Sequence, residues 1–292
     1  MSAEAWLLAA RPRTLPAAIA PVVVASALAF RDDVFRPDAL IVTLAAALAI
    51  QIGVNFANDL ADAQSGADSA DRIGPTRAVA SGLLTASQMK RGIAAAFVTA
   101  AVLGIYLIAL GGWLIAVIGV ASIVAALAYT GGPWPYGYHG LGEAFVFTFF
   151  GLAATVGTRW VYDRSAPADV WSAGVVMGLL AAAILEANNV RDLDTDRTAG
   201  KRTLAVVVGR SRARILYAVT VVSAFVVVAA TTIAGILPPW SFLALPLAGL
   251  AVPLVRTIAT ETEGPPLIGV LVGTARLQLA VAGALAVAAF LP

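Results

Sequence analysis

The sequence predicts an all-α integral membrane protein, and composition is the first reason. Of its 292 residues, 60% are hydrophobic and only 12% are charged, whereas a soluble domain carries about 25% charged residues. The mean hydropathy of +0.88 agrees with this assignment. The second reason is that apolar residues form runs of about 20, the length that a helix needs to cross a bilayer core. These runs do not alternate in polarity, so helices rather than barrel strands are expected.

Nine segments have the length and composition of transmembrane helices. They lie at about 14–30, 39–57, 92–110, 113–130, 142–160, 170–188, 213–236, 240–257 and 266–290. The third and fourth segments are separated by Gly111-Gly112 alone, so they are expected to form a helical hairpin. Proline at positions 12, 16 and 21 predicts an irregular or kinked start of the first span.

The basic residues predict the orientation of the chain. If the N-terminus is cytoplasmic, fourteen of the nineteen lysines and arginines fall in the predicted inner segments and four in the outer ones. Cytoplasmic loops carry such an excess of positive charge. We therefore expect a cytoplasmic N-terminus, which also places both acidic clusters described next on the cytoplasmic side.

Two acidic clusters follow long apolar segments, and each places an asparagine and two carboxylates on one helical face. Their members are Asn55, Asp59 and Asp62, at i, i+4 and i+7, and Asn188, Asp192 and Asp196, at i, i+4 and i+8. Carboxylates at the edge of a hydrocarbon layer are costly unless their charge is compensated. The clusters therefore indicate a function rather than a structural accident.

The clusters also suggest an internal duplication. Asp59 and Asp192 each lie at the end of an even-numbered span and before a long polar loop. Membrane proteins built from repeats place their sites where the repeats meet. We therefore expect a single membrane domain over 1–292, made of two related halves at about 1–135 and 136–292, with a central cavity between them.

Facing each other, the two stripes would form an oxygen-rich site suited to Mg²⁺, which takes one or two carboxylates together with substrate phosphates. The candidate metal ligands are Asp59, Asp62, Asp68, Asp192 and Asp196, all but Asp68 being candidate catalytic residues. Basic and amide groups beside them are candidates for binding and orienting a diphosphate, namely Asn58, Arg77, Asn188, Asn189, Lys201 and Arg202. Solvated loop charges and helix caps are the alternative, but they give no reason for two matching clusters.

Several functional classes are disfavoured by composition. Cysteine is absent, which excludes disulfides, thiol nucleophiles and sulfur-ligated metals, and His139 is the only histidine. A zinc site or a Ser-His-Asp hydrolase is therefore not expected. Acidic residues interrupt every basic stretch, so a nucleic-acid partner is not expected either.

The motifs resemble those of a known family. Asn58-Asp59-x-x-Asp62 with Asp68, Asp192-x-x-x-Asp196, and Ala199-Gly-Lys-Arg-Thr203 resemble the membrane-embedded aromatic prenyltransferases of the UbiA superfamily. Two segments, Arg11-Pro-Arg-Thr-Leu-Pro16 and Tyr129-Thr-Gly-Gly-Pro-Trp-Pro-Tyr136-Gly-Tyr-His-Gly-Leu-Gly-Glu143, resemble the branch that acts on 1,4-dihydroxy-2-naphthoate in menaquinone biosynthesis. The likeness extends over nearly the whole chain.

The resemblance implies nine helices around a central cavity that opens to lipid, a polyprenyl diphosphate donor, and Mg²⁺ as cofactor. The acceptor would be 1,4-dihydroxy-2-naphthoate, which would lose CO₂ to give demethylmenaquinol at the cytoplasmic side of a bacterial cell membrane. Prenyl transfer to 4-hydroxybenzoate or homogentisate is the near alternative. A cation-coupled transporter is a more distant one, since its carboxylates would lie near the middle of the membrane.

Other residues carry weaker expectations. Tyr129 and several other aromatic residues are candidates for lining the cavity and facing an allylic cation. Arg13 and Arg276 are candidates for contacts with the aromatic acid. Glu143 is interpreted as orienting a ligand or, by preference, capping the fifth span. The charges at Arg159, Asp163 and Arg164 are interpreted as loop charges on the opposite side.

Overall fold

The computed structural model describes residues 2–65, 77–262 and 264–292, and the regular elements within those ranges are helical. We number the helices in chain order. They are α1 (Ala3–Ala10), α2 (Pro16–Arg31), α3 (Pro37–Ser65), α4 (Ala86–Gly111), α5 (Trp113–Ala128), α6 (Gly142–Asp163), α7 (Ala168–Arg191), α8 (Leu193–Thr198), α9 (Leu204–Val208), α10 (Arg210–Ile233), α11 (Pro239–Thr260) and α12 (Pro265–Phe290).

Each of the nine predicted segments corresponds to a helix. In the described ranges, seven helices are long and apolar enough to cross a bilayer, namely α3, α4, α6, α7, α10, α11 and α12. The α1–α2 region would be an eighth span, bent by 55° between Ala3–Thr14 and Pro16–Arg31, as the prolines predict. Helix α5 has only 16 residues. A total of nine spans and a cytoplasmic N-terminus stay predictions.

Glycine allows the tight hairpin between α4 and α5. Gly112 has a φ of 77°, a left-handed conformation that is costly for residues with a Cβ. It ends one helix and begins the next without an intervening loop. The hairpin predicted at Gly111-Gly112 is therefore confirmed.

Helix α7 is the most deeply buried of the long helices, and α6 crosses it closely. A Cβ added to Gly151 would lie 2.4 Å from the Cα of Gly178, so only glycine permits this approach. At the crossing, α6 contains a stretch of π-helix over Phe147–Ala153. A π turn holds an extra residue and changes which side chains share a face.

Loops gather at the end of the bundle where both acidic clusters lie, which we call the cavity end (77–85, 129–141 and 192–209). They are tied together there: Lys201 Nζ lies 2.7 Å from Asp62 Oδ1, and the Arg202 amide donates to the Tyr138 carbonyl oxygen at 3.1 Å. Three segments that are distant in sequence therefore meet at this end.

The opposite end of the bundle, which we call the far end, contains a chain of ion pairs between α2, α6 and α7. Its members are Asp169, Arg31, Asp32, Arg159 and Asp163. Arg159 lies inside α6 and is 3% exposed, because it binds Asp32 and Asp163. The interpretation of Arg159 as a loop charge is therefore wrong.

Candidate active site

A cavity of about 350 Å³ lies between α2, α3, α5, α6 and α7. The residues of α3 that line it run from Thr43 to Asp62, and at 1.5 Å per residue this corresponds to about 28 Å. Near the cavity end of the bundle, polar and charged side chains line the cavity, and we call this its charged part. Residues such as Ala46, Ile50 and Ile118 line the deeper part. The cavity therefore suits an amphiphile with a charged head and a long apolar tail.

Asp62 is the centre of the charged part. Its carboxylate accepts hydrogen bonds from Arg77 Nη2 and from Lys201 Nζ, each at 2.7 Å, and from the Tyr138 hydroxyl at 3.3 Å. The Asp62 side chain is 7% exposed, so it is largely shielded from water. Three different loops therefore converge on one carboxylate of the first acidic cluster.

Lys201 joins that carboxylate to the second acidic cluster. Its ammonium nitrogen lies 2.7 Å from Asp62 Oδ1 and 3.8 Å from Asp196 Oδ1, and it also lies over the ring of Tyr138. Burial alone would lower the pKa of Lys201, but the charge and hydrogen bond of Asp62 outweigh burial and raise it above its ordinary value. The ammonium group of Lys201 thus lies between the two clusters, whereas the Mg²⁺ site expected from the facing stripes stays a prediction.

Asp59 has a different environment. It is 1% exposed, and its two oxygens accept hydrogen bonds from the backbone N–H groups of Ala78 (3.0 Å) and Val79 (2.9 Å). It does not line the cavity. Asp59 therefore fixes the backbone of the loop that carries Arg77. Its carboxylate does not lie between Asp62 and Asp196.

Asn55, on the same stripe, also has structural partners although it lines the cavity. Its amide nitrogen donates to the Ala10 carbonyl oxygen at 2.8 Å and to Thr14 Oγ1 at 3.1 Å. These bonds join α3 to the bent N-terminal region.

The second cluster shows a similar division. Asp192 accepts two hydrogen bonds from the guanidinium of Arg191, at 2.7 and 2.6 Å, and it lines the cavity together with Asp196. Asp194 lies off this face, as its spacing predicts, and pairs with Arg210 at 2.5 Å and Arg197 at 3.7 Å. Asn188, Asp192 and Asp196 therefore all line the cavity, although Asp192 lies at the break between α7 and α8 and not inside a single helix.

All three predicted asparagines line the cavity, and each is held by a neighbour. Asn58 Oδ1 accepts from Thr130 Oγ1 at 3.0 Å. Asn188 Oδ1 accepts from Arg191 at 2.7 Å, and Asn189 Nδ2 donates to Glu143 Oε1 at 2.8 Å. Glu143 lies in the first turn of α6, so its predicted roles in capping that helix and in orienting a ligand both stay predictions.

Besides Asp59, three predicted site residues among those that the structure describes do not line the cavity. Arg13, Arg202 and Arg276 have exposed side chains and do not line the cavity, and Asp68 lies outside the described residues. Arg11, two positions before Arg13, lines the cavity instead. The sequence Arg11-Pro-Arg13 does not show which arginine reaches the cavity. The backbone decides this, because Arg11 ends α1 with a left-handed φ of 50°.

Aromatic rings cover one wall of the cavity near the charged part. Tyr136 stacks on Phe145 with ring centroids 3.9 Å apart, and Tyr129 meets Tyr136 edge-on at 5.4 Å. Burial raises the pKa of the Tyr129 phenol well above its ordinary value, so it stays neutral. Phe56 instead packs on Trp6 and does not line the cavity.

The residues present fit a divalent cation that is shared with a phosphate ligand. Asp62 and Asp196 already lie on two sides of one positive charge, that of Lys201. Among the described residues no group of three His, Cys, Asp or Glu side chains is close enough to hold a metal. Mg²⁺ usually takes one or two carboxylates, with phosphates and water completing its shell.

The chain is similar to known proteins over most of its length. The chain is 42% identical over 291 residues to the 1,4-dihydroxy-2-naphthoate octaprenyltransferase of Mycobacterium tuberculosis, with 96% of each chain covered. It is 36% identical over 266 residues to the enzyme of the same name from Escherichia coli, covering 89% of this chain and 86% of that protein.

Two solved structures have the same fold at low sequence identity. A UbiA homolog from Aeropyrum pernix matches with a TM-score of 0.69 at 16% identity, over 93% of this chain and 96% of that one. A UbiA homolog from Archaeoglobus fulgidus bound to DMAPP and Mg²⁺ matches with a TM-score of 0.67 at 13% identity, over 97% and 99%. The model of the UbiA prenyltransferase family matches residues 18–267, and the chain therefore belongs to this family of membrane proteins.

Proposed function

We propose that the protein transfers a polyprenyl group from polyprenyl diphosphate to 1,4-dihydroxy-2-naphthoate, with loss of diphosphate and CO₂, to give demethylmenaquinol. The observation that carries the proposal is the convergence of Asp62 and Asp196 on Lys201 at the charged part of a long apolar cavity. Relatives that bear the name of this activity are 36–42% identical over most of the chain. We propose a bacterial cell membrane as its location, with the site facing the cytoplasm.

The shape of the cavity supports an isoprenoid donor. A diphosphate would lie beside Arg77, Lys201 and Arg11, which all line the charged part, while the tail would follow the apolar lining of α3. Lipid tails are about as apolar as this lining, so a polyprenyl tail would pass from the bilayer into the deeper part without meeting buried polar groups. A transporter of small cations has no use for such a cavity.

The reaction balances without an added oxidant or base. The allylic C–O bond breaks, and its electron pair leaves with diphosphate. The ring carbon that bears the carboxylate supplies the pair for the new C–C bond. When the carboxylate leaves as CO₂, the pair of its bond to the ring restores aromaticity. The protein must therefore stabilise the leaving diphosphate and shield the allylic cation from water.

The side chains on the cavity wall suit both tasks. Arg77 and Lys201 would neutralise negative charge that develops on the leaving group, an electrostatic contribution that is large in a dry site. The Tyr136 and Phe145 ring faces would stabilise the allylic cation. Asp62 and Asp196 would hold Mg²⁺ together with oxygens of the diphosphate, and the ion when bound would supply Lewis-acid stabilisation of the leaving group.

The direct experiment uses purified full-length protein in liposomes, with Mg²⁺, a polyprenyl diphosphate and one aromatic acid at a time. We expect prenylated, decarboxylated naphthoquinol by mass spectrometry, and no product after chelation with EDTA until Mg²⁺ is restored. Turnover of 4-hydroxybenzoate or homogentisate in place of the naphthoate would favour the near alternative. Undiminished turnover in EDTA would contradict the metal requirement.

A further inference from the structure

Two neighbouring amides at the end of α7 face the same cavity with opposite polarity. Asn188 and Asn189 both line it, and each is fixed by a partner of a different kind. The Arg191 guanidinium can only donate, so its bond at 2.7 Å occupies the carbonyl oxygen of Asn188. The NH₂ group of Asn188 is left to meet a ligand.

Glu143 fixes Asn189 the other way round. A carboxylate only accepts hydrogen bonds, and Glu143 Oε1 lies 2.8 Å from Asn189 Nδ2 in a buried contact. The carbonyl oxygen of Asn189 makes no hydrogen bond within the part of the chain that the structure describes, and it is not fully enclosed. It is the acceptor that α7 offers to the cavity.

The surroundings make such an acceptor informative about the ligand. The nearby cavity-lining groups Arg11, Arg77 and Lys201 are cationic donors and suit a polyanion, whereas a carbonyl oxygen repels one. A neutral hydroxyl that donates a hydrogen bond is the complementary group. The proposed acceptor carries two phenolic hydroxyls on its ring, while the polyprenyl diphosphate carries no hydroxyl donor.

We propose, building on the proposed function, that Asn189 is a specificity-determining residue whose carbonyl oxygen accepts a hydrogen bond from one ring hydroxyl of the naphthoate. Glu143 is the positioning residue that fixes the polarity of this amide. Asn188, with the opposite polarity, donates to an anionic oxygen. A site built to bind a hydroxyl rejects an analogue that lacks it, because its own buried polar group is then left without a partner.

The experiment measures binding rather than chemistry, since removing a hydroxyl also makes the ring less reactive. The probes are two naphthoates, each lacking one of the two ring hydroxyls, used as competitive inhibitors against 1,4-dihydroxy-2-naphthoate. In the wild-type enzyme we expect one of them to bind roughly 2- to 10-fold more weakly than the parent acid, as the loss of one hydrogen bond implies.

The variants locate that preference. In Asn189→Leu and Glu143→Leu we expect the weaker analogue and the parent acid to bind equally well, so that the ratio of their dissociation constants falls to about 1. The KM for polyprenyl diphosphate should stay within roughly 2-fold of wild type. Glu143→Gln keeps an amide oxygen that accepts from Asn189, so it should preserve the preference. This rescue would not occur if Glu143 merely filled space.

A matched control removes a buried carboxyl contact on the same helix away from the cavity. Thr220→Val breaks the 2.9 Å bond from Thr220 Oγ1 to Glu186 Oε1, and neither residue lines the cavity, so the hydroxyl preference should not change. The inference is overturned if Asn189→Leu retains the preference, or if its KM effect falls on the diphosphate. If wild-type protein does not turn over 1,4-dihydroxy-2-naphthoate at all, the proposed function itself fails.

Discussion

The two ends of the bundle contain the same kind of structure, a chain of alternating charges, with different surroundings. At the far end, Arg31 and Arg159 share Asp32, and the ion pairs Arg31–Asp169 (2.5 Å), Arg31–Asp32 (2.8 Å) and Arg159–Asp32 (3.1 Å) are all short. None of these residues lines the cavity. This chain joins α2, α6 and α7 and leaves no space for a ligand.

At the cavity end, the chain runs from Arg77 through Asp62 and Lys201 to Asp196. All four residues line the cavity, and the last link is open at 3.8 Å. The comparison teaches that charged residues at a membrane boundary do not by themselves identify a site. Charges that can bind a ligand lie beside a cavity and include an ion pair that is long enough for a ligand to take the place of one partner.

The largest expected effect comes from the carboxylate at the centre of the cavity end. Asp62→Asn should lower kcat by roughly 10²- to 10³-fold, as removing one electrostatic contact at a reacting group typically does. The matched variant Asp59→Asn keeps one oxygen to accept from the backbone of the loop, so its loss should be at least 10-fold smaller. Steady-state rates with both substrates saturating would test this, and equal losses in the two variants would refute the division of roles.

The far end should respond in stability rather than in rate. Arg159→Met keeps the packing of the side chain but removes the guanidinium group that pairs with Asp32 and Asp163. Breaking a buried ion pair costs about 3–5 kcal/mol. Since these two carboxylates are about a quarter exposed, water screens part of the interaction, and we expect a smaller loss of about 2–3 kcal/mol. Unfolding in SDS would measure it, while kcat per folded molecule should stay within about 2-fold; a large loss of kcat would show that the ends are coupled.

Lys201 offers a smaller effect with a defined pH dependence. Its pKa is raised in the folded protein, so its stabilising contribution is complete below the pKa of the unfolded chain, about 10.4, and is lost as pH rises through the folded pKa. Lys201→Gln should therefore lower stability in EDTA by about 1–2 kcal/mol between pH 7 and 9, and the gap to wild type should close above about pH 10.5. A gap that closes near neutral pH would contradict the ion pair.

The smallest effects are expected at the exposed arginines. Arg13→Gln and Arg276→Gln should each change KM for the naphthoate by less than about 2-fold, because surface charges away from a site rarely matter more. Arg11→Gln, at the cavity wall, is the matched comparison and should raise KM for one of the substrates. A stronger effect at Arg276 than at Arg11 would require a different acceptor site.

The fold was predictable because hydropathy fixes where helices lie in a membrane protein. The positions of all nine helical segments follow from apolar runs, and the i, i+4 spacing of Asp192 and Asp196 correctly predicts a shared face. The sequence does not distinguish Asp59 from Asp62, because their residue type and local spacing are the same. Only the position of Ala78 and Val79, whose backbone N–H groups donate to the Asp59 carboxylate, distinguishes the two residues.

Partners that are distant in sequence were the other limit. Asn189 and Glu143 are 46 residues apart and Arg31 and Asp169 are 138 apart, and no local pattern relates such residues. Arg159 illustrates the consequence, since a charge near the end of a predicted span has the same sequence signature whether it is solvated or buried. Whether the two halves, about 1–135 and 136–292, arose by duplication stays a prediction.

The π-helical stretch in α6 determines how Phe145, on the aromatic wall of the cavity, is rotated around the helix relative to Arg159 at the far end. Successive residues of an α-helix are rotated by about 100°, so removing one residue from Phe147–Ala153 would turn everything after it relative to Phe145 by about that angle. Either the rings would leave the cavity or Arg159 would leave its carboxylates. The extra residue thus acts as a mechanical spacer, and a one-residue deletion there, followed by SDS unfolding and turnover, would reveal which surface the helix keeps.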